Sequence, residues 1–290
     1  MKYCICSFSI TVPRKAKKKF ELLNTDNNFT LRTLLRLNIS LPPMYKKEII
    51  NNKFNIILIS IVIILSYSVY LFNEKIVILL GSEDNLYEGG TALFLFISSI
   101  FFLLSSPKNI FMILLSLIFF FGAGEELSWG QRIFCFEVPE NIKQENVQSE
   151  FNVHNLPTFN GATNKNSHKQ KQGIQRLTEM NFLYRVFLLI FGILLPLACY
   201  HIAFFKKLVK QLKIPVPPIT IGIFLGISWL ACKLILNILP KGYDKNYYFA
   251  ANEIWEFLTA FIIANFGYYF YHNRKHQILG ADIKDTSLIQ

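Results

Sequence analysis

Six stretches of the chain, at 54–72, 86–106, 110–129, 182–204, 219–239 and 249–271, each approach the length of apolar sequence that a helix needs to cross a bilayer. This feature constrains the fold most, because inside lipid every backbone polar group must be satisfied within the protein, which leaves helices or a closed barrel. The run lengths fit helices. The expected fold is therefore all-α: a polytopic membrane helical bundle of about six transmembrane helices. A shorter apolar piece, 76–80, cannot span and reads as re-entrant or interfacial. The apolar share of 52%, with 28 Phe, exceeds that of an ordinary globular domain and agrees with this class.

The net charge of +11 resembles a nucleic-acid signature until its location is considered. Eleven Lys and Arg precede Phe54 against Glu21, Asp26 and Glu48, so +8 of the balance sits in one tail. Basic residues beside apolar spans report topology, with Lys and Arg retained on the cytoplasmic side. With six spans, the N-terminal arm, Lys108, the run Lys206, Lys207, Lys210 and Lys213, and Arg274 with Lys275 all fall on one face. That face is expected to be the cytoplasm, with both termini in it, and no nucleic-acid partner is expected. The division is a basic cytoplasmic arm at 1–53, a membrane domain at 54–272 and a cytoplasmic tail at 273–290. Either Met44 is the natural start or 1–43 is a loosely held basic arm. Five cysteines without framework spacing exclude a disulfide scaffold, and Cys199 and Cys232 read as small core residues.

The third apolar run ends in FFFGAGEELSWGQR at 119–132, which sets Glu125, Glu126, Ser128, Trp129, Gln131 and Arg132 at the mouth of a span. Charge at membrane depth is costly, so such a group points to a functional site. The same topology brings Glu83, Asp84 and Glu88, then Asn252, Glu253 and Glu256, to that non-cytoplasmic face, with Arg185 and Lys233 at the same level. The loop 133–181, read as an extracytoplasmic lid, carries a second informative stretch. There Asn146, Gln148, Glu150, Asn152 and His154 alternate with Val, Ser, Phe and Val, and Asn155 follows. An extended chain would put the five on one face, whereas a helix would stack Asn146, Glu150 and His154. A plain amphipathic flap on the bilayer surface is the alternative.

Two chemistries suit these residue types. Glu125, Glu126 and His154 are candidate ligands for a divalent metal that activates water. Alternatively, one buried carboxyl acts as general acid while another stays ionised, with Arg132 or Lys233 steadying developing negative charge. The candidate catalytic set is Glu125, Glu126, His154, Glu150, Arg132, Glu253 and Glu256. The candidate substrate-binding set is Trp129, Gln131, Asn146, Gln148, Asn152, Asn155, Lys233 and Asn252. Trp129, Trp255, Tyr243, Tyr247 and Tyr248 read first as an interfacial aromatic belt. No nucleotide-phosphate loop, H-E-x-x-H, G-x-S-x-G or C-x-x-C motif occurs.

The span end GEELSWGQR at 124–132, with N-x-Q-x-E-x-N-x-H-N at 146–155, resembles a group of bacterial multi-pass membrane proteins that share GEE-(I/L)-SWGQR and this loop. The resemblance covers roughly 50–270, and implies a multi-pass architecture in the plasma (inner) membrane without supplying a reaction. Glu125, Glu126 and Arg132 are also similar to the first motif of the CAAX-protease and bacteriocin-processing membrane family, which implies a Glu-activated water. That family's F-x-x-x-H helix and later His and Asn helix have no counterpart here. The expected function is a hydrolase or transferase acting on a membrane lipid or lipid-linked substrate at the outer face. An ion- or proton-coupled transporter and a non-catalytic assembly protein are the alternatives.

Overall fold

The structure, a computed structural model, describes residues 53–71, 74–81, 86–164, 167–238 and 245–286, without the side chains of 132, 162–164, 167–170, 245 and 274–286. The basic arm up to residue 52, Glu83, Asp84 and residues 239–244 lie outside the described residues, as do the side chains of Arg132, His168, Arg274, Lys275 and His276.

Every apolar stretch carries a helix. In chain order they are α1 (Lys53–Ser68), α2 (Glu74–Gly81), α3 (Leu86–Ser105) and α4 (Ile110–Glu126), then two short helices, α5 (Gln131–Phe134) and α6 (Glu140–Glu145). A small antiparallel hairpin, β1 (Ala162–Asn164) with β2 (Ser167–Gln170), precedes α7 (Met180–Phe187). A π-helical stretch, Leu188–Leu194, joins α7 to α8 (Leu195–His201), followed by α9 (Ala203–Leu212), α10 (Ile219–Ile238) and α11 (Lys245–Thr286). Among the described residues, four segments are long and apolar enough to cross a membrane: Lys53–Leu71, Glu74–Ser105, Met180–His201 and Ile219–Ile238. Helix α4, at 17 residues, sits at the lower limit of span length. The piece at 76–80 is part of α2, whose Val77 is fully buried and whose Gly81 lies against Ala250 of α11.

Helix α11 is the centre of the bundle. Ala250, Ala251, Ile254, Leu258, Thr259, Ala260 and Ile262 have no exposed surface, and these positions go all the way round its axis. Small residues let α3 approach it: a Cβ at Gly90 would stand 2.6 Å from the Phe257 ring, and one at Gly267 would meet Phe101 and the Ser98 carbonyl. The outward faces are apolar too, with Ile64 and Leu65 on α1, Leu93 and Leu103 on α3, Leu117 and Ile118 on α4, and Leu230 and Leu234 on α10 exposed. A contiguous apolar exterior of this kind suits lipid rather than water.

The π-helical stretch has an identifiable cause. Pro196 has no N–H to offer the Gly192 carbonyl one α-turn back, and the Leu195 N–H bonds the Ile190 carbonyl instead, five residues back. Gly222 of α10 packs against that Gly192 carbonyl, and a Cβ there would approach it to 2.6 Å.

Candidate functional site

Helix α4 stops at Glu126 instead of running on through Trp129, which corrects the expected span end. Ser128, Trp129 and Gly130 turn left-handed, with φ of 46°, 53° and 84°. That conformation costs a non-glycine residue roughly 1–2 kcal/mol, so the bonds the turn makes must hold it. The Trp129 indole Nε1 donates to Glu125 Oε1 at 2.6 Å, and its ring covers Gly124 and meets Phe121 edge-on. The Ser128 hydroxyl, fully buried, donates to Glu150 Oε2 at 3.2 Å. Gln131, beyond the turn, accepts the Phe151 N–H at 2.8 Å.

The stretch 146–155 is neither strand nor helix, so both backbone expectations for it are corrected: it is a chain of bends around Asn146. The Asn146 amide is fully buried and makes four bonds. Its Nδ2 donates to the Asn152 carbonyl and Oδ1 at 3.0 and 2.8 Å, and its Oδ1 accepts from the Gln148 and Glu150 N–H groups at 2.9 and 3.1 Å. Glu150 Oε2 also accepts from Asn152 and Asn155, and Asn155 donates to Gln148 Oε1. Asn side chains compete for backbone groups in this way and displace regular structure. Glu150 thus serves inside the loop, and the exposed Gln148 is its outer tie. A buried Lys171 closes the far side of the loop by donating to the Thr158 carbonyl and Thr178 Oγ1.

Glu125 is the latch between the two sequence motifs. Its carboxylate is buried, and Oε2 accepts the Val153 and His154 N–H groups, both at 2.7 Å, with His154 Nδ1 at 3.3 Å. Together with Trp129, four donors converge on it, which suits an ionised, acceptor-only carboxylate. The contact at Nδ1 turns that nitrogen to Glu125, and no hydrogen bond to Nε2 occurs among the described residues.

The neighbouring carboxylates face a different environment. Glu256 of α11 lies within electrostatic reach of His154, of Arg185 on α7 and of Glu88 on α3. Tyr184 lies in reach of both Glu256 and Glu126, and its hydroxyl pairs with Thr259 Oγ1 at 2.8 Å. Lys233 on α10 joins the group through Cys232, which senses Lys233, Arg185 and Glu256. The Arg185 guanidinium stands 5.6 Å from the centre of the Trp255 ring, a cation–π contact, and the buried Trp255 Nε1 has no hydrogen-bond partner among the described residues. Glu126, Glu256, His154, Arg185 and Lys233 therefore share one end of the bundle. Asn252 and Glu253 are half-buried on the same helix as Glu256, one turn nearer its start.

Among the described residues no three His, Cys, Asp or Glu are grouped to hold an ion. The physical reason is that both Glu125 oxygens are already taken by N–H donors, and His154 Nδ1 is turned to the same carboxylate. Sequence reasoning missed Tyr184 as a contributor, and left Ser128, Glu88 and Arg185 outside the candidate set. Arg185 was detectable as a cation in the first turns of an apolar helix. Tyr184 carried no signal of its own. Cys135, Cys199 and Cys232 are free thiols, and Cys232 alone of them is buried. Comparison with protein-family models, with curated proteins and with solved structures finds no match.

Proposed function

We propose that this protein is a six-span membrane enzyme, with both termini in the cytoplasm, that hydrolyses or transfers a group on a lipid or lipid-linked substrate at the non-cytoplasmic face. The observation that carries the reading is the Glu125–His154 pair. A buried carboxylate fixes the ring through Nδ1 and leaves Nε2 as a base, next to an independent group of acids and cations. In this reading His154 takes the proton of an attacking water or hydroxyl as its oxygen bonds to the substrate centre. Glu126 or Glu256, protonated, supplies the proton to the departing oxygen. Arg185 and Lys233 stabilise the negative charge that develops between those steps. The orphaned Trp255 N–H offers a donor to a substrate oxygen. Glu125, Ser128, Asn146, Gln148, Glu150, Asn152 and Asn155 act as positioning residues.

The charge distribution supports the orientation. No Asp or Glu occurs from 89 to 124 or from 180 to 243, so Glu88 of α3, Glu125 and Glu126 of α4, and Glu253 and Glu256 of α11 gather at one end, while Lys108, Lys206, Lys207, Lys210 and Lys213 occupy the other. A carrier is disfavoured by the bundle interior. Ser98, Ser105, Thr91 and Asn265 each bond a carbonyl of their own helix, so these interior polar groups serve the helices that carry them.

The test is incubation of purified protein with a total membrane lipid extract, followed by mass spectrometry of the lipids. Wild type is expected to yield a cleaved or transferred product that His154→Ala, Glu126→Gln and Glu256→Gln each lose by at least about a hundredfold, at unchanged thermal midpoint for the two Glu variants. Product formation that survives all three substitutions would refute the reading. Altered proton uptake in vesicles without any product would favour the carrier.

A further inference from the structure

Helix α9 begins one residue after the span Met180–His201 ends, and its two faces differ in kind. At 100° per residue, Phe204, Phe205, Leu208, Val209 and Leu212 form one side, and Lys206, Lys207 and Lys210 the other, with Lys213 continuing it. Only Val209 is buried against the protein. Phe204 is 66% exposed and Leu212 46%, beside exposed lysines. A soluble surface helix would turn that apolar side to its own core, and α9 does not.

A second observation widens the patch. The Asn109 side chain donates to the Lys213 carbonyl at 2.8 Å, which ties the end of α9 to the α3–α4 turn and brings exposed Lys108 to the same end of the bundle. Five lysines are thus grouped where the sequence on both segments contains no carboxylate to balance them.

We infer that α9 and the α3–α4 turn form a docking surface for the anionic phospholipids of the leaflet in which the lysine end lies. Phe204, Phe205 and Leu212 sink among the upper acyl chains, and the lysines pair with headgroup phosphates, as an amphipathic helix does in the plane of an interface. The inference rests on the membrane assignment and not on the proposed reaction. The occupant is a lipid surface and not free phosphate, because the lysines share their helix with an uncovered apolar side that phosphate would leave in water.

The test uses the full-length protein, delipidated in detergent and titrated with phosphatidylglycerol or phosphatidylcholine while bound lipid is counted by native mass spectrometry. Wild type is expected to prefer phosphatidylglycerol by about tenfold or more. The variant Lys206→Gln, Lys207→Gln, Lys210→Gln, Lys213→Gln is expected to lose most of that preference. Both proteins keep the basic arm, so the difference reads α9. If the fourfold variant loses its thermal transition, the pair Lys206→Gln, Lys210→Gln should still lower the preference by about threefold or more. Equal binding of both lipids by wild type, or a preference unchanged in the variants, would overturn the inference. So would competition by millimolar inorganic phosphate alone.

Discussion

Replacing Glu125 by Gln keeps the side-chain shape and removes only its ability to accept everywhere. Four donors face the carboxylate, at 2.6, 2.7, 2.7 and 3.3 Å. An amide has one accepting oxygen, so its NH₂ must face at least one donor. The cheaper orientation keeps the oxygen on Val153, His154 and the imidazole, and turns the NH₂ to the Trp129 indole. One charge-assisted bond, about 1.5–3 kcal/mol, is lost, and the two short backbone bonds fall to neutral strength at about 1 kcal/mol each. Because Trp129 is 38% exposed, water can take over its N–H, which places the expected cost near the lower end, about 3 kcal/mol. The midpoint of thermal unfolding in detergent should fall by roughly 6–12 °C, at about 2–4 °C per kcal/mol for a chain of this size. Amide hydrogen exchange at Val153 and His154 should accelerate before the helices exchange. An unchanged midpoint, with Val153 and His154 still protected, would show that the latch reasoning is wrong.

Three further outcomes follow from the same geometry. Glu126→Gln, one position along, should leave amide hydrogen exchange at Val153 and His154 as in wild type, because it is Glu125 that accepts those two N–H groups, so the adjacent carboxylates separate in one comparison. Asn146→Ala removes four bonds at a fully buried site and should cost about 3 kcal/mol, read as selective proteolysis within 133–181 while α3, α4 and α11 stay intact. Gly222→Ala places a methyl 2.6 Å from the Gly192 carbonyl, and backbone cannot give way as a flexible side chain can. Its expected cost is about 1–3 kcal/mol by thermal unfolding, and a wild-type midpoint would argue against close approach of α10 to the π-helical stretch.

The helices were legible because span length is a property of composition alone: a 20-residue apolar run has few other ways to satisfy its backbone. The centrality of α11 was less so, since Glu253 and Glu256 make its sequence look like a polar-ended span, and its all-round burial depends on Gly90 and Gly267 admitting close neighbours. At the site, residue types pointed to the right pair of segments. GEELSWGQR and the alternating loop do touch, through Glu125, Ser128 and Gln131. Their geometry was not readable, because Ser128 in the left-handed turn at 128–130 bonds Glu150 and Asn152, more than twenty residues away. The period-two pattern at 146–155 invited a strand, yet Asn146 and Asn152 bond backbone and each other, so alternation here marks inward-facing amides. Spacing alone cannot tell adjacent Glu125 and Glu126 apart, yet it is Glu125 that accepts the loop N–H groups, while Glu126 lies within electrostatic reach of Tyr184.

The central claim is that Glu125 holds the loop, and His154 with it, at the end of α4. A double-mutant cycle of Glu125→Gln and His154→Ala, read as unfolding free energies, tests it most directly. The account predicts a coupling of about 1 kcal/mol or more between the two sites. Costs that add to within about 0.5 kcal/mol would contradict it, since independent side chains behave in that way.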